Sequence, residues 1–261
     1  MPTASPQTSA QGPAGAVIHV FVLRFNWPMQ TRRTALAQNP GMCNRYQPPP
    51  VEDFVAEFRV QAPANYPAGG VFPRGRGCFL RRAPDKTAFE REAAVGQWGL
   101  IPWFAKTATL PYSTNNARFE GVATTASFKQ PWAKGQRCII PAAVFWEPCW
   151  ESGKNQWWRF KRADGRPWAL AGLWAQWTDK DSGEILESYT MLTMNADSHP
   201  LMRRMHKPDP KLGPGEQDKR SVVALQAEDY DTWLAGTQQE AASLVQLVPQ
   251  ELFDAAPDVP A

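Results

Sequence analysis

Three aromatic-rich runs separated by turn signals constrain this chain more than any other feature. Trp157-Trp158-Arg159-Phe160, Trp168 to Trp177 and Ser188 to Asn195 are dense in aromatic and β-branched residues, with Asp164-Gly165 and Ser182-Gly183 between them. Rings and branched side chains pack well on a pleated surface, and Asp-Gly or Ser-Gly accommodates the tight turns. The pattern predicts consecutive antiparallel strands. Upstream, after Pro48-Pro49-Pro50, Val51, Phe54, Val55 and Phe58 fall at i, i+3, i+4 and i+7, which predicts one amphipathic helix. Glu228 to Leu234 reads as a short helix and Ala255-Ala256-Pro257 as a frayed end.

With 261 residues and 43% apolar content the chain can bury a real core. It contains no run of eighteen apolar residues, so no spanning helix is expected and the cytoplasm is the expected compartment. Cys43, Cys78, Cys138 and Cys149 lack the paired short spacing of a zinc site and are expected as reduced, buried thiols; no metal or cofactor is expected. Residues 1–42 hold Arg24, Arg32 and Arg33 and no acid, so they carry +3, while the other 25 basic and 25 acidic residues cancel. Any nucleic-acid binding must rest on a local basic patch.

Met42-Cys43 looks like a second N-terminus. A cysteine freed of the preceding methionine carries an α-amine and a thiol on adjacent carbons, and such a pair traps aldehydes. The amine forms a Schiff base and the sulfur closes onto the same carbon to give a thiazolidine. An internal cysteine cannot do this, because its nitrogen is a delocalised amide, whereas a free α-amine, with a pKa of about 7.7 to 8.0, is partly unprotonated near neutrality. The first sixteen residues, rich in Pro, Ala, Ser, Thr, Gln and Gly, are expected to be disordered, with translation starting at Met42.

Further motifs follow in order: Met42-Cys43-Asn44-Arg45-Tyr46, Trp98-Gly99-Leu100-Ile101-Pro102-Trp103, Asn115-Asn116-Ala117-Arg118-Phe119-Glu120, Arg137-Cys138-Ile139-Ile140-Pro141-Ala142 running into Phe145-Trp146-Glu147, and Asn195-Ala196-Asp197 leading to Met205-His206, with Asp218-Lys219-Arg220 beyond. This order strongly resembles the SOS-response-associated peptidase (SRAP) family, the abasic-site processing proteins, over about residues 42 to 250. The resemblance implies a covalent sensor of abasic sites in single-stranded DNA. Cys43 resembles the nucleophile, Asn116 the residue that positions it, Glu147 the acid/base carboxylate and His206 the histidine that moves protons around the sugar. Arg118 and Arg220 resemble phosphate-holding arginines; Arg45 and Trp103 are further DNA-binding candidates, Trp103 by stacking.

Structural alternatives stand beside these roles. Asn116 alternatively caps a turn, Glu147 is a surface strand residue, His206 an exposed loop histidine, and Arg118 a partner of Glu120 or another acid in a solvated salt bridge. Three departures from the family pattern bear on the DNA contacts: Asn44 replaces Gly, Ala143-Val144 replaces Asp-Gly, and Pro148 replaces a Trp. The expected architecture is α+β, mainly antiparallel, with a curved or barrel-like central sheet flanked by helices. It comprises an extension over 1–42 that is disordered or foreign to the translated protein, a domain over 43–252 and a flexible tail over 253–261. A monomer with no membrane partner is expected. The rival readings are a cysteine peptidase or amidohydrolase using Cys43, His206 and Asn116 or Glu147, with autoproteolytic release of Cys43, and a plain single-strand-binding module.

Overall fold

The computed structural model describes residues 43–213 and 215–259; the extension over 1–42 and its expected start at Met42 lie outside the described residues. In chain order the strands are β1 (Arg45–Gln47), β2 (Arg76–Arg82), β3 (Arg91–Trp98), β4 (Asn116–Arg118), β5 (Arg137–Ala142), β6 (Val144–Cys149), β7 (Gln156–Arg162), β8 (Trp168–Thr178), β9 (Ile185–Asn195), β10 (Arg220–Val222), β11 (Ala224–Leu225) and β12 (Phe253–Pro257). Among the helices are α1 (Val51–Phe58), α2 (Lys129–Ala133), α3 (Tyr230–Ala235) and α4 (Gln238–Ser243).

The larger sheet runs β10-β9-β3-β2-β5-β8-β11, and a further pairing joins β9 to β8, each one strand in from an end. The ring β9-β3-β2-β5-β8 therefore closes into a five-stranded barrel, which removes the open edges a sheet would otherwise present. Its pairs are antiparallel except that β3 and β4 run parallel to β9. This is the mainly antiparallel, barrel-like α+β architecture expected.

β8 shows why the barrel is wrapped. Leu170 and Trp174 belong to one buried cluster, while Ala169, Ala171, Leu173 and Ala175 belong to a second that includes α1 and α3. A strand covered on both faces reads as a nearly continuous apolar run, as Trp168 to Ala175 does. At Gly172 a Cβ would overlap the Thr190 carbonyl oxygen, so only glycine lets β8 approach β9 this closely. α1 forms where its period predicts and buries Phe54 and Phe58, each worth roughly 1.5–3 kcal/mol.

Two expectations change. β7 and β8, although consecutive, do not pair: β7 belongs to a second sheet of order β1-β6-β7-β12, and the Asp164-Gly165 turn carries the chain between sheets. Trp168 bridges them, its indole N–H donating to the Phe160 carbonyl at 3.2 Å. The tail is also partly structured, because Phe253–Pro257 pair antiparallel with β7 from Phe253↔Arg162 to Pro257↔Trp158. The reason is Phe253, whose ring packs against Phe160, Trp168 and His199.

Candidate active site

Cys43 lies two residues ahead of β1 and is buried. β1 pairs with β6 so that Arg45 sits opposite Trp146, which lays Cys43 beside the strand carrying Glu147. The Trp98 motif then positions the asparagines. The Trp98 indole N–H donates to the Asn115 carbonyl at 2.7 Å, Met191 N–H donates to the same oxygen at 2.9 Å, and β4 continues parallel to β9 with Asn116 opposite Met191. From there Asn116 Nδ2 donates to the Cys43 carbonyl at 2.8 Å, and Asn115 Nδ2 donates to it at 3.4 Å. Asn116 is thus a strand residue aimed at Cys43. Its buried Oδ1 has no partner among the described residues. Asn44, the bulkier replacement for Gly, accepts from Asn115 Nδ2 at 3.3 Å and so braces the same cluster.

Glu147 and His206 are both buried, with Nε2 3.0 Å from Oε2, so neither is the exposed residue of the alternative readings. Arg220 N–H donates to His206 Nδ1 at 3.4 Å. That leaves Nε2 to carry the ring proton and donate to Glu147. His206 adopts φ 64°, a left-handed conformation that non-glycine residues seldom take. Its N–H donates to the Pro148 carbonyl at 2.6 Å, and a bridge between Cys149 and Met205 ties the segment to β6. On the other side the buried Lys219 ammonium donates to the carbonyls of Met205 at 2.8 Å and His206 at 2.7 Å. The Asp197 carboxylate fixes the approach by accepting from Asp218 N–H and Lys219 N–H.

Burial sets the protonation of the group. It pushes the Glu147 carboxyl up, with His206 pulling partly back. Burial also pushes the Cys43 thiol well up, the Glu147 charge adding and the Arg45 and Trp146 backbones opposing. The thiol is therefore held protonated, and the neighbouring carboxyl is poised to exchange a proton. Burial pushes the Lys219 ammonium down, opposed by Asp197.

The arginines divide. Arg118, with a side chain 57% exposed, pairs with Asp218 at 2.7 Å, so the acid of the salt-bridge alternative is Asp218 and not Glu120. Arg220 corrects the expectation of a free phosphate ligand: its guanidinium is buried and committed to Glu120 at 2.7 Å, Asp218 at 3.0 Å and the Thr193 carbonyl at 2.9 Å. Placed on β10 against Asn195 of β9, it fastens the chain beyond His206 to the barrel. Arg45 stacks its guanidinium 3.9 Å over the Trp146 ring. Trp103 is 63% exposed on the loop after its motif, edge-on to Phe104, and no hydrogen bond of the Cys43 cluster reaches it. His199 is structural, accepting from Leu201 and Met202 N–H at Nδ1 and facing the Val248 carbonyl with Nε2. Sequence reasoning missed Lys219 and Asn115; both stand next to residues that the motifs single out, and that adjacency is the one signal available.

A family model described as SOS response associated peptidase (SRAP) matches residues 42–257. The abasic site processing protein HMCES of Xenopus tropicalis is 31% identical over 158 residues, covering 52% of this chain and 46% of that protein. The abasic site processing protein YobE of Bacillus subtilis (strain 168) is 34% identical over 124 residues, covering 47% of this chain and 55% of that protein. The chain spans about half the length of these curated relatives. Among solved structures, a Bordetella bronchiseptica protein superposes with TM-score 0.71 at 37% identity, covering 84% of this chain and all of that one. A Bacteroides thetaiotaomicron protein superposes with TM-score 0.67 at 22% identity over 82% of this chain and 91% of its own, a likeness of fold alone.

Proposed function

The chain belongs to the SOS response associated peptidase family, and we propose that it processes abasic sites in single-stranded DNA by covalent capture at Cys43. The observation that carries this reading is the convergence of two independent devices on one residue: Asn116 bonded to the Cys43 carbonyl, and Glu147, hydrogen-bonded to His206, on the strand that pairs with β1 beside Cys43. The names of the relatives, abasic site processing proteins, agree with it.

The reaction requires a molecule in which Cys43 is N-terminal. Its α-amine attacks the ring-opened aldehyde, and proton transfers release one water as the C=N bond forms. The thiol then adds to that carbon while the nitrogen takes up a proton, closing the thiazolidine with no net oxidation or reduction. Glu147, held toward its protonated form by burial, suits donation to the departing oxygen, and His206 suits proton movement at the sugar. The unpartnered Asn116 Oδ1 is an acceptor that a free amine at Cys43 would satisfy.

The peptidase reading asks for a cysteine activated by a histidine. Here His206 faces Glu147, and Cys43 Sγ points to the Arg45 carbonyl at 3.6 Å. A denaturing gel with an abasic oligonucleotide tests the proposal. A shifted band that disappears in Cys43→Ala, with an adduct mass whose chain begins at Cys43, is expected. A band that survives Cys43→Ala overturns it.

A further inference from the structure

β4 sends two side chains to the same side. Successive residues of a strand point to opposite faces, so Asn116 and Arg118 share one, about 6.6 Å apart along the chain. Asn116 is bonded to the Cys43 carbonyl, and Arg118, exposed at the end of the strand, is a guanidinium placed to meet the phosphates of a DNA strand lying at Cys43. That place is already taken, because the Asp218 carboxylate lies 2.7 Å from Arg118. We infer that Asp218 is a built-in competitor of DNA phosphate for Arg118, which loosens the reversible hold on single strand and leaves retention to the covalent link at Cys43. This inference rests on the abasic-site reading and adds to it the means by which an undamaged strand is let go.

Asp218 is fixed from several sides. Its backbone is left-handed, with φ 51°, and its N–H donates to the Asp197 carboxylate at 3.1 Å. Its second carboxylate oxygen accepts from the Arg220 guanidinium at 3.0 Å. The preceding Gln217 donates through its side-chain amide to the carbonyls of Asp209, Leu212 and Gly213 at 3.2, 2.9 and 3.0 Å. Exposed ion pairs gain little when two long side chains must be ordered together, but here only Arg118 has freedom to lose. The pair therefore sits at the strong end of exposed pairs, roughly fivefold in an equilibrium constant.

The contact is also one that can be exchanged. Arg220 has further partners in Glu120 and the Thr193 carbonyl, so Asp218 keeps an anchored guanidinium when Arg118 turns to a phosphate. The charge balance points the same way. Outside residues 1–42 the 25 basic and 25 acidic residues cancel, so net charge adds no general attraction for a strand, and each local phosphate contact weighs more in the reversible hold.

Asp218→Asn tests the inference, since Asn deletes the charge and tolerates the left-handed conformation. The probe is a fluorescent oligothymidylate without a lesion, its reversible binding followed by anisotropy. The variant is expected to bind about fivefold more tightly than the wild type, chiefly through slower dissociation. Asp218→Gly, for which φ 51° is unstrained, is expected to reproduce the gain. Asp181→Asn, the same charge change on the β8–β9 turn, is expected to give none. In an Arg118→Gln background the effect of Asp218→Asn is expected to vanish, which a general change in surface charge or in stability would not produce. Unchanged binding in Asp218→Asn, or a gain that persists without Arg118, overturns the inference. If the wild type forms no covalent product on an abasic oligonucleotide, the abasic-site reading fails, and the oligothymidylate measurements still read Asp218 separately.

Discussion

Replacing Lys219 by Met tests whether the left-handed conformation of His206 is maintained for its chemistry. The substitution keeps the aliphatic stem and deletes the ammonium that donates to the Met205 and His206 carbonyls at 2.8 and 2.7 Å. Each buried acceptor left without a donor costs roughly 1–3 kcal/mol. The ammonium's own desolvation, the burial that pushes its pKa down, is relieved at the same time. A net loss of about 2 kcal/mol is the balance of these terms. The kinetic effect has a different origin. A non-glycine residue in the left-handed region stores about 1–3 kcal/mol, tolerated only where surroundings over-determine it. Lys219 grips the carbonyl side of His206 and Pro148 grips its N–H. With one grip gone, about 1.4 kcal/mol of that strain becomes free to relax, and the fraction of molecules with His206 against Glu147 falls about tenfold. The assay is single-turnover formation of the covalent product, scaled to the folded fraction from denaturant unfolding. A residue that matters only for stability lowers the unfolding midpoint and leaves the rate per folded molecule alone. The decisive measurement is a double-mutant cycle, in which the rate effect of Lys219→Met vanishes in a His206→Ala background. An unchanged rate per folded molecule, or a tenfold loss that persists without His206, refutes the reasoning.

Glu147→Gln couples stability and rate with opposite signs. Burial raises the folded carboxyl above its unfolded value of about 4.3, so the stability tied to the protonated form is complete below about that pH and is lost as pH rises through the higher folded value. Gln does not ionise, so the melting temperature of the variant minus that of wild type should increase from about pH 4 toward neutrality, while capture slows by about 10²-fold or more through loss of the acid/base; a difference that shrinks with pH contradicts the assignment. The two arginines should separate cleanly. Arg118→Gln is expected to flatten the salt dependence of DNA binding by about 0.7 with stability within about 0.5 kcal/mol of wild type, whereas Arg220→Gln is expected to cost about 2 kcal/mol or more in urea unfolding because Glu120, Asp218 and the Thr193 carbonyl each lose a buried charged donor. Equal stability of the two variants would mean that Arg220 is not the structural fastener.

What could be read from the sequence depended on the distance over which each decision is made. α1 and the strand runs of β7, β8 and β9 were legible because period and turn chemistry are local. Sheet membership was not, since nothing within Trp157 to Trp177 says that the Asp164-Gly165 turn changes sheets; that is decided by Trp168 reaching back to Phe160. β12 was missed for the same reason, because Phe253-Asp254-Ala255-Ala256-Pro257 is a poor strand by composition and forms through contacts made by Phe253.

The site follows the same division, with one instructive reversal. The motif order marked Cys43, Asn116, Glu147 and His206, and three of the structural links joining them run through backbone atoms: the Cys43 carbonyl, the Asn115 carbonyl and the Pro148 carbonyl. No residue-type pattern records a backbone contact, which is why Pro148, a departure from the family that bore on the DNA contacts, holds His206 through an atom every residue possesses. Motif reasoning also favours the residue with the more familiar chemistry. In Asp218-Lys219-Arg220 the guanidinium drew the phosphate role, yet the arginine is buried in ion pairs and the lysine beside it carries the clamp on His206. A charged triplet on a solvated loop and the same triplet threaded beneath a strained histidine are identical in sequence. They differ in burial alone, and burial here is imposed by Asp197, whose carboxylate accepts from the backbone of Asp218 and Lys219 and turns the chain inward before Arg220 joins β9.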